Sequence, residues 1–527
     1  MKSFAALPIK RAMPALGLAV AIGLLVAHAH HFDFINDDAF ISFRYADNLV
    51  QHGELTYNIG ERVEGYTNFL WTMIIAAVLA LGGDPVPWSK ALGVLLSAGT
   101  LATVFFFSRW WATPAAGEAP QRSGMWCAAA PLFLAMSSAF AAWSEGGLET
   151  SLFTFLITAG LVRTVVEVAE DERTPLSAVC FALAAMTRPD GLLIAALAGL
   201  FRLGESCFRR KSPLPARGDI AWGVIFLSIF APYWLWRYSY YGFVFPNTYY
   251  AKGDGALWAP GLRYLSGFVW DCHIWLIAAL ALLPLKSPRG RGWVLKGLAA
   301  WVSLPFMTYV ARVGGDFMAL YRFLVPLLPI LALVGQESLA SLWSAARRDL
   351  GPPSARSRYQ AGVAALALLL LLGWHGSKTS QAALEVGSDK GVDSIGWLKQ
   401  FVEQTTAIGR YVAAAYPPET TVATTAAGVI PYHSRMRTLD LLALNDVHTA
   451  HNVPSSGKRP GHSKSAPESY VLQWRPDLLI RHPRISQRIP RPSPSEVRYW
   501  RARGYKFTYA QIPGMEPPYW GYFEGVE

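Results

Sequence analysis

The stretch HFDFINDDAFISFRYADNLV, residues 31 to 50, follows the first long apolar run of the chain and places two acids, Asp37 and Asp38, side by side. Asn36 and both aspartates favour a helix start, because side-chain oxygens cap free backbone amides and negative charge suits the helix dipole. Apolar positions predict an amphipathic helix lying in the membrane interface, with an apolar face of Phe40, Phe43, Ala46, and Leu49 or Val50. A helix start is also a rigid place to hold a general base.

The composition of the whole chain is too apolar for an ordinary soluble domain, since 52% of its 527 residues are hydrophobic and only 16% are charged. It predicts a polytopic α-helical membrane protein. The formal net charge of +11 falls in short clusters between apolar runs, which is typical of cytoplasmic loops and disfavours nucleic-acid binding. The four cysteines lie in or beside apolar segments and offer no disulfide framework or CxxC metal site.

About eleven hydrophobic segments approach the length that crosses a bilayer, which is about 20 apolar residues. They are residues 12–29, 67–83, 91–111, 125–144, 149–169, 176–201, 220–242, 271–285, 293–311, 322–343 and 359–376. The first follows basic residues and ends in Ala-His-Ala, a sequence that resembles a signal-peptidase site. An uncleaved anchor is favoured, because many further segments need the same insertion machinery. Residues 1–376 are therefore predicted to form a transmembrane domain.

The rest of the chain, residues 377–527, loses the apolar runs and is long enough to fold as a separate soluble domain. Residues 420 to 433 and 437 to 444 predict a strand, a glycine turn and a second strand, and residues 476 to 482 predict another strand. Helical spacing of apolar residues predicts a helix over 394 to 415. The expected fold of this part is a small α/β domain.

Clusters of Lys and Arg in three loops predict the cytoplasmic side of the membrane. The clusters are Arg202, Arg209, Arg210, Lys211 and Arg217; Lys286, Arg289 and Arg291; and Arg347, Arg348, Arg356 and Arg358. The loops 243 to 270 and 312 to 321 alternate with them, so these loops and the terminal domain are expected outside. The basic N-terminus is expected inside, which places the Asp37-Asp38 loop outside as well.

The segment 176–201 allows two interpretations, because it carries TRPDG at residues 187 to 191. As one span it would bury Arg188 and Asp190 in hydrocarbon, which is costly unless they face a cavity or each other. Alternatively, Pro189 breaks it into two short helices that meet at the external surface. The second interpretation also brings Glu145 and Glu149 to that face and requires one earlier segment not to cross fully.

A fixed carboxylate at a membrane surface suits transfer of a sugar from a lipid-linked phosphate to a hydroxyl. The carboxylate accepts the proton of the acceptor, and the departing phosphate needs cations at the same depth. Five residues of the predicted external regions are candidates for that role: Arg44, Arg188, Lys252, Arg312 and Arg322. Each arginine also admits a plainer interpretation, a side chain that extends to the membrane interface.

Five blocks in fixed order resemble a known family. They are DDAFISFRYADNLVQHGELTYNIGERVEGYTNFLWT (37 to 72), TRPDG (187 to 191), FPNTYYAK (245 to 252), VGGDFMALYRFLVP (313 to 326) and TTAAGVIPYHSRMRTLDLLALNDVHTAH (424 to 451). Together they resemble the AftB-like family of terminal arabinofuranosyltransferases, which belongs to the GT-C membrane glycosyltransferases. The resemblance covers most of the chain, including the terminal domain.

The resemblance implies a GT-C fold and an inverting transferase whose catalytic base lies in the acidic pair of Asp37 and Asp38. We predict that Asp37 is the base and that Asp38 positions substrate or an ion. The resemblance also implies a decaprenyl-phosphate arabinofuranose donor. The residues predicted to contact the phosphate and sugar of that donor are Arg44, Glu64, Asn68, Arg188, Asp190, Asn247, Lys252, Asp316 and Arg322. Related pilin-modifying arabinosyltransferases look similar, so the acceptor is left open as a glycan or a glycoprotein. No cofactor is certain, and whether a divalent cation assists is unknown.

The histidines and acids of the tail admit a metal-site interpretation, but the spacing of His433, His448, His451 and His462 matches no tight ligand motif. A polar loop that binds the acceptor is favoured instead, through Asp440, Asn445, Asp446 and His448. Four tail aromatics, which are core residues at least as often, are candidates to stack on sugar rings: Trp474, Trp500, Tyr519 and Trp520.

Three other functions compete with this one: another polyprenyl-phosphate-dependent hexosyl or mannosyl transferase, a transporter of lipid-linked glycans, and a glycan-binding protein without catalysis. A transporter would favour internal repeats and charges at the membrane midplane, whereas here the polar residues collect on one face. The expected location is the bacterial inner membrane, with many spans and a periplasmic terminal domain. The expected partners are a lipid-linked donor, a glycan or glycoprotein acceptor and membrane lipid.

Overall fold

The computed structural model describes residues 6–112, 124–170, 174–252, 255–283, 292–349, 355–455 and 459–526. Helices occupy the chain as far as Leu384. They are α1 (Ala6–Phe32), α2 (Asp37–His52), α3 (Phe69–Ala80), α4 (Pro85–Ala112), α5 (Ala129–Met136), α6 (Ser138–Ala142), α7 (Thr150–Glu170), α8 (Ser177–Thr187), α9 (Asp190–Arg210), α10 (Arg217–Tyr241), α11 (Asn247–Ala251), α12 (Trp258–Asp271), α13 (Ile274–Ala281), α14 (Gly292–Arg312), α15 (Leu328–Asp349) and α16 (Ala355–Leu384). Short 3-10 helices cover Gly124–Ala128 and Val325–Leu327.

Seven helices within the described ranges are long and apolar enough to cross a membrane, and α12 with α13, bent by 74°, makes a possible eighth. The prediction of a polytopic helical membrane protein is therefore confirmed. Many side chains of the predicted segment 359–376, in α16, lie outside the described residues. The end of the predicted segment 271–285 lies outside them too.

The predicted segment 67–83 does not cross the bundle. It forms α3, whose 12 residues give a length of about 18 Å against a hydrocarbon thickness of about 30 Å. The next helix, α4, begins beside the end of α1, where Lys90 Nζ lies 2.7 Å from Asp33 Oδ1. Both ends of α3 therefore lie at the same end of the bundle, so the candidate segment 67–83 does not cross fully, as the second interpretation of segment 176–201 requires of one earlier segment.

The segment 176–201 is broken at Pro189, as the second interpretation of the sequence predicts. Helix α8 ends at Thr187, Arg188 has extended backbone angles, and α9 begins at Asp190. A residue before proline avoids helical geometry, because the proline ring clashes with its backbone. The break brings Arg188 within 2.9 Å of Glu149, which directly precedes α7.

The break, the end of α1 and the start of α7 share one end of the bundle. The amide of Asn36, which follows α1, donates to the carbonyl of Gly146 at 3.2 Å. The opposite end carries basic residues of the first predicted cytoplasmic cluster, where Arg202 Nη1 lies 2.8 Å from Glu167 Oε2. Lys286, Arg289 and Arg291 lie outside the described residues, as do the side chains of Arg347, Arg348, Arg356 and Arg358.

Helix α2 forms as predicted, and Asn36 caps it by accepting from the amide of Asp38 at 2.8 Å. Its predicted apolar face contacts protein and not lipid, because eight consecutive residues, 39 to 46, are all buried. The helix instead lies between the membrane helices and the terminal domain, where α18 packs on it.

The terminal domain is α/β, as predicted. Its elements are β1 (Ser388–Asp389), β2 (Val392–Asp393), α17 (Ile395–Ala415), β3 (Thr421–Thr424), α18 (Val429–Ser434), β4 (Arg437–Asp440), α19 (Val447–Asn452), α20 (Glu468–Trp474), β5 (Leu478–Ser486), α21 (Pro494–Arg501), β6 (Tyr505–Gln511) and β7 (Tyr519–Gly525). The larger sheet has the order β4-β3-β5-β7-β6. Strands β4, β3 and β5 are parallel, whereas β7 is antiparallel to both of its neighbours.

The predicted helix over 394 to 415 and the predicted strand over 476 to 482 are confirmed as α17 and β5. The predicted strand, glycine turn and strand over 420 to 444 is wrong in its turn. Because β3 and β4 are parallel, a tight turn cannot join them, and α18 provides the crossover.

Candidate active site

A cavity of about 620 Å³ lies where the loops of the helix bundle meet the terminal domain. Loops after α1, before α7, before α9 and around α11 and α14 reach it, although they are far apart in the chain. It brings together these predicted site residues: Asp37, Asp38, Asn68, Arg188, Asp190, Lys252, Asp316 and Arg322. Arg312 also lines it.

Asp37 is held in this cavity by the terminal domain. Its Oδ1 accepts from the amide of Val429 at 2.8 Å and its Oδ2 from the amide of Gly428 at 3.1 Å. A Cβ atom on residue 428 would lie 1.8 Å from the backbone oxygen of Asp37, so only glycine permits this approach. Sequence reasoning missed Gly428 as a positioning residue, although it lies within the last of the five family blocks.

Burial makes Asp37 a better base than an exposed aspartate. It raises the pKa of Asp37 to about 7, against the lowering effect of the two amides. The adjacent charge of Asp38 raises the pKa of Asp37 further. Burial also raises the pKa of Asp38, while Arg322 opposes that change. A base whose pKa lies near the working pH is suited to accept a proton.

A buried polar network forms one wall of the cavity. Arg188 Nη2 lies 2.7 Å from Asp190 Oδ2, and its Nη1 lies 2.9 Å from Glu149 Oε1. Glu149 in turn accepts from the amide nitrogen of Asn68 at 2.9 Å. Arg188 thus lies between two carboxylates, and breaking such a buried pair leaves an uncompensated charge. Its guanidinium is committed to holding the wall.

The segment between α14 and α15 forms a second wall. Arg322 Nε donates to Asp316 Oδ2 at 2.8 Å, and its guanidinium also lies over the ring of Trp143. Leu320 and Tyr321, immediately before Arg322, both have positive φ angles, of 61° and 53°. Such strained non-glycine residues cluster at functional sites.

Two cations of the cavity form no close ion pair among the described residues, although the charges of Asp190 and Asp316 act on Lys252. Within the described residues, the side chains of Lys252 and Arg312 form no ion pair or hydrogen bond, and both are exposed to the space in front of them. Arg322, which also lines the cavity, is paired with Asp316. Lys252 and Arg312 are therefore the groups available to an incoming anion.

Three residues predicted to contact the donor are not among the described lining residues of the cavity. Their side chains instead bond to other segments of the protein. Arg44 donates to the backbone oxygens of Tyr57, Pro431 and Met436 at 2.5 to 2.7 Å. Glu64 pairs with Arg237 at 2.6 Å. Asn247 donates to the carbonyls of residues 443 and 444 at 2.9 Å, which fixes α11 and hence Lys252.

The four predicted acceptor contacts of the tail are likewise not among the described lining residues. Asp440 accepts from the amides of Leu442 and Asn445 and shapes the loop after β4. Asn445 accepts from Tyr45 at 3.1 Å, Asp446 caps α19, and His448 stacks on Tyr470. Their assignment to acceptor binding stays a prediction.

The terminal domain contributes other residues that sequence reasoning did not assign to substrate: Asp393, Trp397, Phe401, Thr425, Arg459, His462 and His482. Thr425 follows β3, and His482 lies where β5 leaves its register with β3. Ligands bind at the carboxyl ends of parallel strands in open sheets. Assigning β3 and β5 as parallel neighbours would have revealed both positions.

The metal-site interpretation of the tail histidines has no cluster behind it in the part of the chain that the structure describes. In that part, the side chains whose possible metal-ligand atoms lie close enough together to hold an ion are those of His30, Asp33 and Glu145. Asp33 already pairs with Lys90 at 2.7 Å and Lys399 at 3.5 Å. His433, His448, His451 and His462 instead pack against different aromatic rings.

The helix bundle and the terminal domain identify the chain as a multi-pass membrane protein with the GT-C fold. The crystal structure of ArnT from Cupriavidus metallidurans bound to undecaprenyl phosphate superposes with a TM-score of 0.57 at 12% identity, covering 97% of each chain. The apo structure of ArnT from the same organism superposes with the same TM-score at 13% identity. The predicted fold class is thereby confirmed.

Sequence similarity then points to particular relatives. The chain is 27% identical over 350 residues to the terminal β-(1→2)-arabinofuranosyltransferase of Corynebacterium glutamicum, covering 56% of this chain and 47% of that protein. It is also 27% identical over 337 residues to the enzyme of the same name from Mycobacterium tuberculosis, covering 57% and 52%. The chain thus spans about half the length of these curated relatives, and the resemblance inferred from the five blocks is confirmed.

A family model described as a domain of unknown function, DUF8728, matches residues 397–520. The match begins at a cavity residue, Trp397, and covers most of the terminal domain.

Proposed function

We propose that the chain is an inverting membrane glycosyltransferase that moves a sugar, arabinofuranose, from a polyprenyl phosphate to a hydroxyl of a glycan or glycoprotein. The reaction takes place at the periplasmic face of the bacterial inner membrane, where the terminal domain covers the cavity. The observation that carries the proposal is one cavity holding a half-buried pair of acids and two cations without a close ion pair among the described residues, at the same end of the membrane helices.

In the proposed reaction, the acceptor oxygen attacks the anomeric carbon as its proton passes to Asp37. The bond between that carbon and the phosphate oxygen breaks, and polyprenyl phosphate leaves with both electrons. Lys252 and Arg312 stabilise the charge that develops on the phosphate. The amides of Gly428 and Val429 occupy one position on each oxygen of Asp37, and a carboxylate has further lone pairs for the acceptor hydroxyl.

The proposed donor draws support from two likenesses. ArnT was crystallised with undecaprenyl phosphate, and the curated relatives are named arabinofuranosyltransferases. The test is to incubate the purified full chain with polyprenyl-phosphate arabinofuranose and, separately, with a hexose or mannose donor, together with a panel of acceptors. We expect a glycosylated product with the arabinofuranose donor and an inverted anomeric centre. Product formed with the hexose or mannose donor, and none with the arabinofuranose donor, would show that arabinofuranose is not the transferred sugar.

The pH dependence of transfer follows from the pKa of Asp37. A base must be ionised, so kcat/KM should fall about tenfold per pH unit below a midpoint near 7. Above the midpoint, kcat/KM should level off. The measurement is kcat/KM for the acceptor at saturating donor between pH 5 and 9, values chosen about two units either side of the midpoint. A flat profile below pH 7 would remove Asp37 from the role of base.

A further inference from the structure

The side of the cavity formed by the terminal domain carries a wall of three nearly parallel rings, which we call the ring wall: Trp397, Phe401 and His482. Trp397 and Phe401 have ring centroids 4.9 Å apart and planes within 10° of each other. Phe401 and His482 are 5.9 Å apart and within 9°. These separations are those of offset stacks, in which each ring keeps some surface uncovered. All three residues line the cavity and none of them is fully buried.

The ring wall is held rigidly by its supports. Trp397 and Phe401 lie four residues apart on α17 and therefore share one face of the helix. The helix start is fixed, because Ser394 caps it by accepting from the amide of Trp397 at 3.1 Å. His482 Nδ1 lies 3.4 Å from the hydroxyl of Thr425. A site on such elements loses little conformational entropy when a ligand binds.

The wall is close to neutral. Arg459, at its edge, pairs with Asp393, and it also lies over the ring of Phe317. Burial lowers the pKa of the neighbouring His462, and the charge of Arg459 lowers it further, which favours the uncharged form of its ring. A flat apolar surface without excess charge suits the apolar face of a neutral sugar ring, whose C–H groups meet the negative face of an aromatic ring.

The ring wall is also joined to the proposed base. Thr425, which contacts His482, is three residues before Gly428, whose amide holds Asp37. A ligand on the wall therefore approaches Asp37 from the terminal domain. The two cations, Lys252 and Arg312, come instead from the part of the chain before the terminal domain, since Lys252 directly follows α11 and Arg312 ends α14.

We infer that the ring wall is the acceptor subsite, which binds a neutral oligosaccharide by stacking sugar rings on Trp397, Phe401 and His482. Naming the bound sugar as the acceptor rests on the proposed function, but binding of a sugar to the ring wall is measurable without turnover. It also separates the two substrates in space, with the lipid donor on the membrane side and the glycan on the domain side.

The test uses the purified full chain in lipid nanodiscs and a synthetic arabinofuranose tetrasaccharide as the probe. Saturation-transfer NMR gives the Kd of the probe for the wild type, Phe401→Leu, His482→Ala and the double variant. Each single substitution should raise Kd about 3- to 10-fold, as expected for one stacked ring. Phe401→Leu keeps an apolar side chain and His482 is exposed, so both variants are expected to fold.

The matched control is Tyr509→Leu, an aromatic residue of β6 in the same domain that is 48% exposed and is not among the described lining residues. Its Kd should equal that of the wild type, and undecaprenyl phosphate should bind all variants equally. Transfer by the wild type with unchanged probe Kd and acceptor KM in the ring variants would overturn the subsite and leave the transferase standing. Loss of probe binding in the ring variants, with no transfer by any protein, would support the subsite and overturn the proposed reaction. No saturation transfer to the wild type would also overturn the subsite.

Discussion

The Asp37→Asn variant should lose transfer by about 10² to 10⁴-fold in kcat, the range that a positioned general base contributes. Asparagine keeps an oxygen that can accept from one of the amides of Gly428 and Val429, so the local structure should persist. It cannot accept the proton of the acceptor. The measurement is kcat with saturating polyprenyl-phosphate arabinofuranose, together with the Kd of undecaprenyl phosphate, which should be unchanged.

The control for this variant is Asp33→Asn, an acid four residues earlier whose side chain is 51% exposed and pairs with lysines at the surface. It should retain wild-type kcat. An Asp37→Asn variant with more than about a tenth of wild-type activity would place the base elsewhere, since general bases contribute at least about 10²-fold. Asp38, which has no hydrogen-bond partner for its side chain among the described residues, is then the residue to substitute.

Replacing the two unpaired cations should have the next largest effect. A hydrogen bond to a charged group contributes about 1.5 to 3 kcal/mol, which corresponds to about 10- to 150-fold in affinity. Lys252→Met and Arg312→Met should therefore each raise the donor KM by about that factor. Because both cations would contact the same phosphate, the effect of the double variant should exceed either single effect without equalling their product. The measurement is donor KM, with direct binding of undecaprenyl phosphate as a second readout.

Arg263→Met serves as the control for the cations, because Arg263 is an exposed arginine of α12 that is not among the described lining residues. Its donor KM should match the wild type. Acceptor KM should also stay within about twofold in the Lys252 and Arg312 variants, since surface changes away from a ligand have small effects. Unchanged donor KM in the double variant would show that Arg188 or Arg322 holds the phosphate despite their existing partners.

Much of the site could be predicted because loops that follow membrane spans are short and must meet at one surface. Asp37, Arg188, Lys252 and Asp316 each carry a local signal, a charged residue beside glycine, proline or asparagine at a span end. The structure brings them together in one cavity. The break at Pro189 was also readable, because a charged pair beside proline is costly in the middle of a span.

Contacts between distant parts of the chain could not be predicted from local patterns. Arg44 resembles a phosphate ligand in the sequence, yet its Nη1 donates to a carbonyl 387 positions later. Helix α3 is as apolar as a true span, and only its length and the contact of Lys90 with Asp33 show that it turns back. The ring wall depends on the contact between Phe401 of α17 and His482 of β5, which no pattern within either element specifies.

A cryo-EM structure of the Asp37→Asn variant with polyprenyl-phosphate arabinofuranose tests the proposed placing of base and cations most directly. A phosphate oxygen should lie within about 3 Å of Lys252 Nζ or the guanidinium of Arg312. The side chain of residue 37 should lie on the opposite face of the anomeric carbon from the phosphate, with room for one hydroxyl between them. A donor whose phosphate lies away from both cations, or whose anomeric carbon faces away from residue 37, would contradict the proposed reaction.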